Sequence, residues 1–127
     1  MAYIYFNPNP CRKSTSDCVI RAIAKVLDVS WETVYKQLCD EGLEQCDLPN
    51  ANAVFGRFLL NLGFRKHIIP NTCPMCYSLI DFCIDHPYGD FVVCTGDHAV
   101  CVIDGNHYDL FDSSYVTPSY YYEREVL

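Results

Sequence analysis

No apolar run in this chain approaches the roughly 20 residues that cross a bilayer. Met1-Ala2-Tyr3-Ile4-Tyr5-Phe6-Asn7 carries no basic residue ahead of its short apolar stretch. Neither a membrane span nor an export signal is therefore expected, and the chain reads as soluble and cytoplasmic. Positive charge is also scarce. Nine Lys and Arg stand against 16 Asp and Glu, for a net charge of −7, and the basic residues are not clustered. That argues against nucleic acid as a partner, and against an anionic membrane surface, because both are bound through concentrated positive charge. Internal repeats and low-complexity segments are absent too.

Cysteine is abundant. Nine in an exported chain of this size would imply a disulfide scaffold. The odd count and the missing export signal point instead to a reducing compartment. Cys39, Cys83, Cys94 and Cys101 fall inside apolar patterns, where a free thiol acts as a small hydrophobe. Most thiols are accordingly expected to fill the core. Cys73-Pro74-Met75-Cys76, followed by Cys83 and His86, has the C-x2-C and C-x2-H spacings of zinc ligands. Only six residues separate the two pairs, however, and Cys83 belongs to an apolar helix face, so no metal and no cofactor is expected. A redox role for this C-x2-C fares no better, because the strand–helix context of a thioredoxin motif is missing.

With 127 residues and 50% hydrophobic content, the chain can build one core and is too short for two ordinary domains. A single domain over 1–127 is expected. Residues 2 to 6 alternate aromatic and aliphatic side chains as a short strand does, and Asn7-Pro8-Asn9-Pro10 ends it. A helix should begin at Asp17-Cys18, with Asp17 as N-cap and Val19, Ile23, Val26 and Leu27 on its apolar face. Ser30 caps a second helix carrying Trp31, Val34, Tyr35, Leu38 and Cys39, and Gly42 is its expected stop. A third buries Phe55, Phe58, Leu59 and Leu62 and ends at Gly63. An extended piece, 64 to 69, and a short helix through Leu79, Ile80 and Cys83 follow.

From Asp90 the periodicity changes. Phe91 to Thr95 and His98 to Ile103 read as strands, the latter apolar on both faces and hence central. Asp104-Gly105-Asn106 is a hairpin signal. His107 to Asp112 returns antiparallel, and Tyr120 to Glu123 reads as a last, edge strand. Helices first and an antiparallel sheet afterwards make an α+β domain.

One constellation could carry chemistry. Cys18 sits in the first turn of its helix, where free backbone N–H groups and the helix dipole favour thiolate over thiol. A histidine opening a strand, His98, and an acid closing the next are the partners a nucleophilic thiolate needs: one to move the proton, one to hold the imidazole. Asp112 and Asp109 both lie within reach across the hairpin. Tyr108 and Leu110 suit the face turned to the helices, which puts Asp112 on that face and makes it the preferred acid, with Asp109 the alternative. His107 lies at the turn and ranks below His98. His67 and His86 follow no matching pattern.

Asn7-Pro8-Asn9-Pro10, Asp17-Cys18-Val19-Ile20-Arg21-Ala22-Ile23-Ala24 and Ser30-Trp31-Glu32-Thr33-Val34-Tyr35 resemble the first half of small papain-like proteins of bacteria and their phages. His86-Pro87-Tyr88-Gly89, Gly96-Asp97-His98-Ala99-Val100 and the run from Ile103 to Asp112 look like the second half. More distantly, the layout is similar to the peptidase domains of bacteriocin exporters. The resemblance implies a papain-like cysteine-peptidase fold in which Cys18 is nucleophile, His98 is base and acid, and Asp112 orients. It also implies an oxyanion-hole glutamine a few residues before the cysteine, and no glutamine occurs before Gln37. The Cys18 N–H can supply one donor; the second would come from Asn9, Arg12 or a loop amide.

Two functions follow as expectations. The first is a thiol hydrolase that cleaves a peptide, isopeptide or related amide of a peptide or protein substrate through an acyl-enzyme at Cys18. The second is a non-catalytic binding protein that keeps the fold and captures a host or phage protein. Blander readings stand beside them: Cys18 as a core thiol at a helix start, and Asp112 as the cap of the turn at Ser113-Ser114.

Overall fold

A computed structural model describes residues 1–125. Its elements run β1 (Tyr3–Tyr5), α1 (Cys18–Leu27), α2 (Trp31–Gln45), α3 (Asn52–Asn61), β2 (Phe64–Ile68), α4 (Leu79–Asp85), β3 (Asp90–Cys94), β4 (Ala99–Ile103), β5 (Asn106–Asp109) and β6 (Tyr120–Arg124). The fold is α+β: helices pack on one six-stranded sheet of order β1-β5-β4-β3-β6-β2. None of the described helices is long and apolar enough to cross a membrane.

The sheet grows from the hairpin of β4 and β5. Asp104 and Gly105 both take positive φ, 49° and 77°, the geometry a two-residue turn needs to match strand twist. The turn registers Ile103 against Asn106 and Cys101 against Tyr108. β3 pairs antiparallel with β4 on the other side, and β1 adds parallel to β5, with Tyr5 opposite Asp109.

Both faces of the centre are covered. Ile23 of α1, Val34 and Leu38 of α2, and Phe55 and Leu59 of α3 pack against Val92, Cys101 and Tyr122. Leu79, Phe82 and Cys83 of α4 cover Phe91, Val93, Val100 and Val102 on the opposite face. A strand buried on both sides reads as a continuous apolar run, which explains Ala99-Val100-Cys101-Val102.

The structure corrects several expectations from the sequence. Gly42 does not stop the second helix: α2 runs on to Gln45, and Cys46 in the left-handed region closes it. Gly42 is there for close approach, since a Cβ would lie 2.7 Å from the Asp47 carbonyl oxygen. β6 is not an edge strand, because β2 pairs outside it, Phe64 opposite Arg124. Most thiols are not core filler either. Only Cys83, Cys94 and Cys101 are buried, whereas Cys11, Cys46, Cys73 and Cys76 are exposed, on loops and helix ends where apolar periodicity says nothing.

Candidate functional site

The α1 N-terminus, the start of β4 and the end of β5 converge at one end of the central strands. α1 lies along β4 with Ile23, Ala22 and Val26 buried, which sets its first residue, Cys18, beside His98, the residue that precedes β4. The Cys18 thiol lies beside the His98 ring and the Ala99 backbone N–H, close enough for both to lower its pKa. His98 Nε2 meets Asp109 Oδ2 at 2.7 Å. That commits Nε2 to the carboxylate and leaves Nδ1 for the sulfur. His98 thus stands between the Cys18 thiol and the Asp109 carboxylate, hydrogen-bonded to the carboxylate.

Asp109 is completely buried and fully satisfied. Oδ1 accepts from the Arg21 guanidinium at 2.9 Å and from the Leu110 N–H at 2.8 Å; Oδ2 accepts from His98 and from the Ser113 hydroxyl at 2.8 Å. Four donors around one carboxylate hold it ionised. Burial alone would raise its pKa, but His98, Ser113 and the Leu110 amide outweigh that and hold it below the ordinary carboxylate value.

Arg21 ties this chain back to the helix. Its guanidinium bridges Asp109 and Asp17, one turn back on α1, and Asp17 also accepts from Trp31 Nε1 at 2.9 Å. The expected capping role of Asp17 is therefore corrected. Its side chain makes no cap bond, because Arg21 and Trp31 claim the carboxylate. Only its backbone oxygen opens the helix, accepting from the Arg21 N–H at 2.8 Å. Cys18 still occupies the first helical position.

The electrostatic consequences run in a consistent direction. For Cys18, burial raises the thiol pKa, but the adjacent His98 ring and Ala99 N–H and the nearby charges of His98 and Arg21 bring it below the ordinary value. For His98, burial favours the neutral ring, yet the Asp109 carboxylate and the Cys18 sulfur raise its pKa to about 9. Both shifts move the pair toward thiolate and imidazolium.

Space for a substrate lies on both sides of the pair. A cavity of about 190 Å³ has Val19, Phe55, Ala99 and Tyr120 among its walls, and Asn50 and Asn52 among its polar lining. A more open one of about 730 Å³ is walled by Ser14, Thr15, Ser16, Leu110 and Phe111. Cys18, Asp97 and His98 line both. The Phe111 ring lies 5.4 Å from the His98 ring and shields one side of it.

Of the residues the sequence singled out, Cys18 and His98 are brought together and Asp112 is not. Strand alternation, which favours Asp112, extends only as far as Tyr108, which lies opposite Cys101 on the α1 side with the Lys25 ammonium 4.6 Å from its ring. β5 ends at Asp109. Beyond it the chain turns, so Asp112 is exposed and accepts instead from the Ser114 N–H at 3.1 Å, with His107 Nε2 3.2 Å away. The turn-capping role holds for Asp112, and Asp109 takes the place beside His98.

Neither side-chain candidate for the oxyanion hole lines the cleft. Asn9 Oδ1 is committed to its own loop, accepting from the N–H groups of Cys11 and Lys13 at 2.9 and 3.3 Å. Arg12 is an exposed turn residue with φ of 53°. The residues on that side of Cys18 are Ser14, Thr15 and Ser16. Sequence reasoning missed Arg21 and Ser113. Arg21 left a signal, since a lone arginine in the run Val19-Ile20-Arg21-Ala22-Ile23 is buried only where an acid meets it. Ser113 left none.

Compared with protein-family models, curated proteins and solved structures, the chain gave no match.

Proposed function

We propose that this protein is a papain-like thiol hydrolase, a cysteine peptidase or isopeptidase acting through an acyl-enzyme at Cys18. The observation that carries the reading is the placing of Cys18 beside His98, with His98 hydrogen-bonded to a buried, charge-paired Asp109. A structural thiol needs no such support. The Cys18 thiolate attacks the carbonyl carbon of an amide, and the oxyanion forms near the Cys18 N–H at the head of α1. His98 gives its Nδ1 proton to the leaving amine. It then takes a proton from water, and the hydroxide releases the acyl group from sulfur. Asp109 holds the imidazole by Nε2 throughout, with Arg21 fixing Asp109. A backbone amide of the Ser14–Ser16 segment is the second oxyanion donor, in place of Asn9 or Arg12.

The second reading, a binding protein that keeps this layout without turnover, is favoured by one observation: the two side chains expected to complete the oxyanion hole do not line the cleft. Acyl-enzyme trapping separates the two. An activated aryl ester should acylate Cys18 in a stoichiometric burst followed by slow turnover, visible as a mass adduct that His98→Ala abolishes. Acylation without any subsequent release, on esters and on a peptide library alike, would support the binding protein.

A further inference from the structure

The loop between β2 and α4 carries two thiols for which the proposed hydrolysis has no use. Cys73 and Cys76 are both exposed, and their sulfurs lie 3.9 Å apart. The loop holds them there. The Cys73 N–H donates to Asn71 Oδ1 at 3.0 Å, and the Tyr77 N–H donates to Thr72 Oγ1 at 2.9 Å. Beside the sulfurs lies a cavity of about 190 Å³ whose walls include Ile69, Tyr77, Thr117 and Pro118. It offers room for a small molecule next to both.

The other cysteines are differently placed. Cys18 is engaged by His98. Cys83, Cys94 and Cys101 are buried, and burial pushes their thiols up, Cys83 to about 11 and Cys94 to about 12. Among the described residues, Cys73 and Cys76 are the one pair of sulfurs within hydrogen-bond distance of each other. Nor do they suit zinc. No group of three His, Cys, Asp or Glu side chains able to hold a metal occurs among the described residues, so a tetrahedral ion would find at most half of its ligands here.

We propose that Cys73 and Cys76 form a dithiol–disulfide couple that exchanges with low-molecular-weight disulfides such as oxidised glutathione. Both sulfurs are exposed and adjacent, so either attacks and the other resolves, and the steps balance the same way whichever is first. With Cys76 first, its thiolate displaces one thiolate from the small disulfide and forms a mixed disulfide. Cys73 then loses its proton to solvent and attacks the Cys76 sulfur. The bond from Cys76 to the small thiol breaks, the Cys73–Cys76 bond forms, and the second small thiolate leaves. The protein gives up two electrons and two protons, and the small disulfide is reduced to two thiols. The couple does not depend on the hydrolase reading.

The test uses the full chain, native, in glutathione buffers of graded ratio, quenched in acid and mapped by peptide mass spectrometry. The wild type should lose two hydrogens from the peptide holding both cysteines and carry little glutathione, because the resolving thiol is present at an effective concentration on the order of millimolar. Cys73→Ser and Cys76→Ser should each accumulate at least about ten times more glutathione on the remaining cysteine of the pair. Glutathione retained on both cysteines of the wild type would overturn the proposal. So would a pair that stays reduced in buffers that oxidise Cys11 or Cys46. Repeating the series with Cys18→Ser should change nothing.

Discussion

Replacing Asp109 by Asn keeps its shape and removes its charge, and the structure fixes what should follow. The His98 pKa stands at about 9 against an ordinary 6.5, a preference for imidazolium worth roughly 3 kcal/mol. Burial works against it, and Asp109 and Cys18 supply it through hydrogen bonds and charge. Asp109 is the stronger of the two raising partners, so its neutralisation should cost the thiolate–imidazolium pair roughly 2 kcal/mol, or about 1–2 pH units. The assay is the second-order rate of Cys18 alkylation by iodoacetamide against pH. The acid limb of that profile should move up by about 1–2 units in Asp109→Asn, so that a pH on the wild-type limb shows a loss of about 10- to 30-fold. The asparagine oxygen still accepts from Arg21 and from the Leu110 N–H, and a thermal melt at each pH checks that the fold is kept. Asp112→Asn, which alters only the exposed partner of His107 and Ser114, should leave the profile in place. An unmoved limb in Asp109→Asn, or a moved one in Asp112→Asn, would refute the reasoning.

Arg21→Met should cost about 3–5 kcal/mol in denaturant unfolding, because two buried carboxylates, Asp17 and Asp109, lose the cation between them; a loss below 1 kcal/mol would mean that water already screens the cluster. In Cys18→Ala, His98 keeps a folded pKa raised by Asp109. Its contribution to stability is therefore full below pH 6.5 and lost as pH rises through the folded value. Melting temperature should fall across that window, and adding His98→Gln should flatten the slope. Gly42→Ala should destabilise by about 1–3 kcal/mol despite the better helix propensity of alanine, since the new methyl meets the Asp47 carbonyl at 2.7 Å. A neutral or positive change would show that the loop after α2 yields.

How far the sequence could be read depended on whether regular structure continued. The α1 start, the Ser30 cap, where Oγ accepts from the Thr33 N–H at 3.1 Å, and the Asp104-Gly105 turn are local signals, and each lies where its chemistry requires. β4 was recognisable as central from its unbroken apolar run. The failures sit where tertiary partners override a local rule. Asp17 has the residue type of an N-cap, but a guanidinium from its own helix and an indole from α2 compete for the carboxylate. Gly42 has the residue type of a helix stop, but the returning chain at Asp47 needs the space. Strand alternation favours Asp112 only if β5 continues three residues past Asp109, where it ends. Arg21 was visible as a charge in an apolar run, whereas its second partner, Asp109, lies 88 residues away and could be found only once the hairpin was folded against α1. The position of β6 inside the sheet depends on pairing with β2, a contact across more than 50 residues that composition cannot announce.

The central claim is that Cys18 is a thiolate at neutral pH because His98 is beside it. The direct measurement is site-resolved alkylation of all nine cysteines between pH 5 and 10, by mass spectrometry, in wild type and in His98→Ala. The account predicts that Cys18 reacts well below the pH at which the exposed Cys11 and Cys46 begin to, and that His98→Ala returns it to their range. If Cys18 titrates with Cys11 and Cys46 in the wild type, the thiolate–imidazolium pair does not exist, and the hydrolase built on it falls.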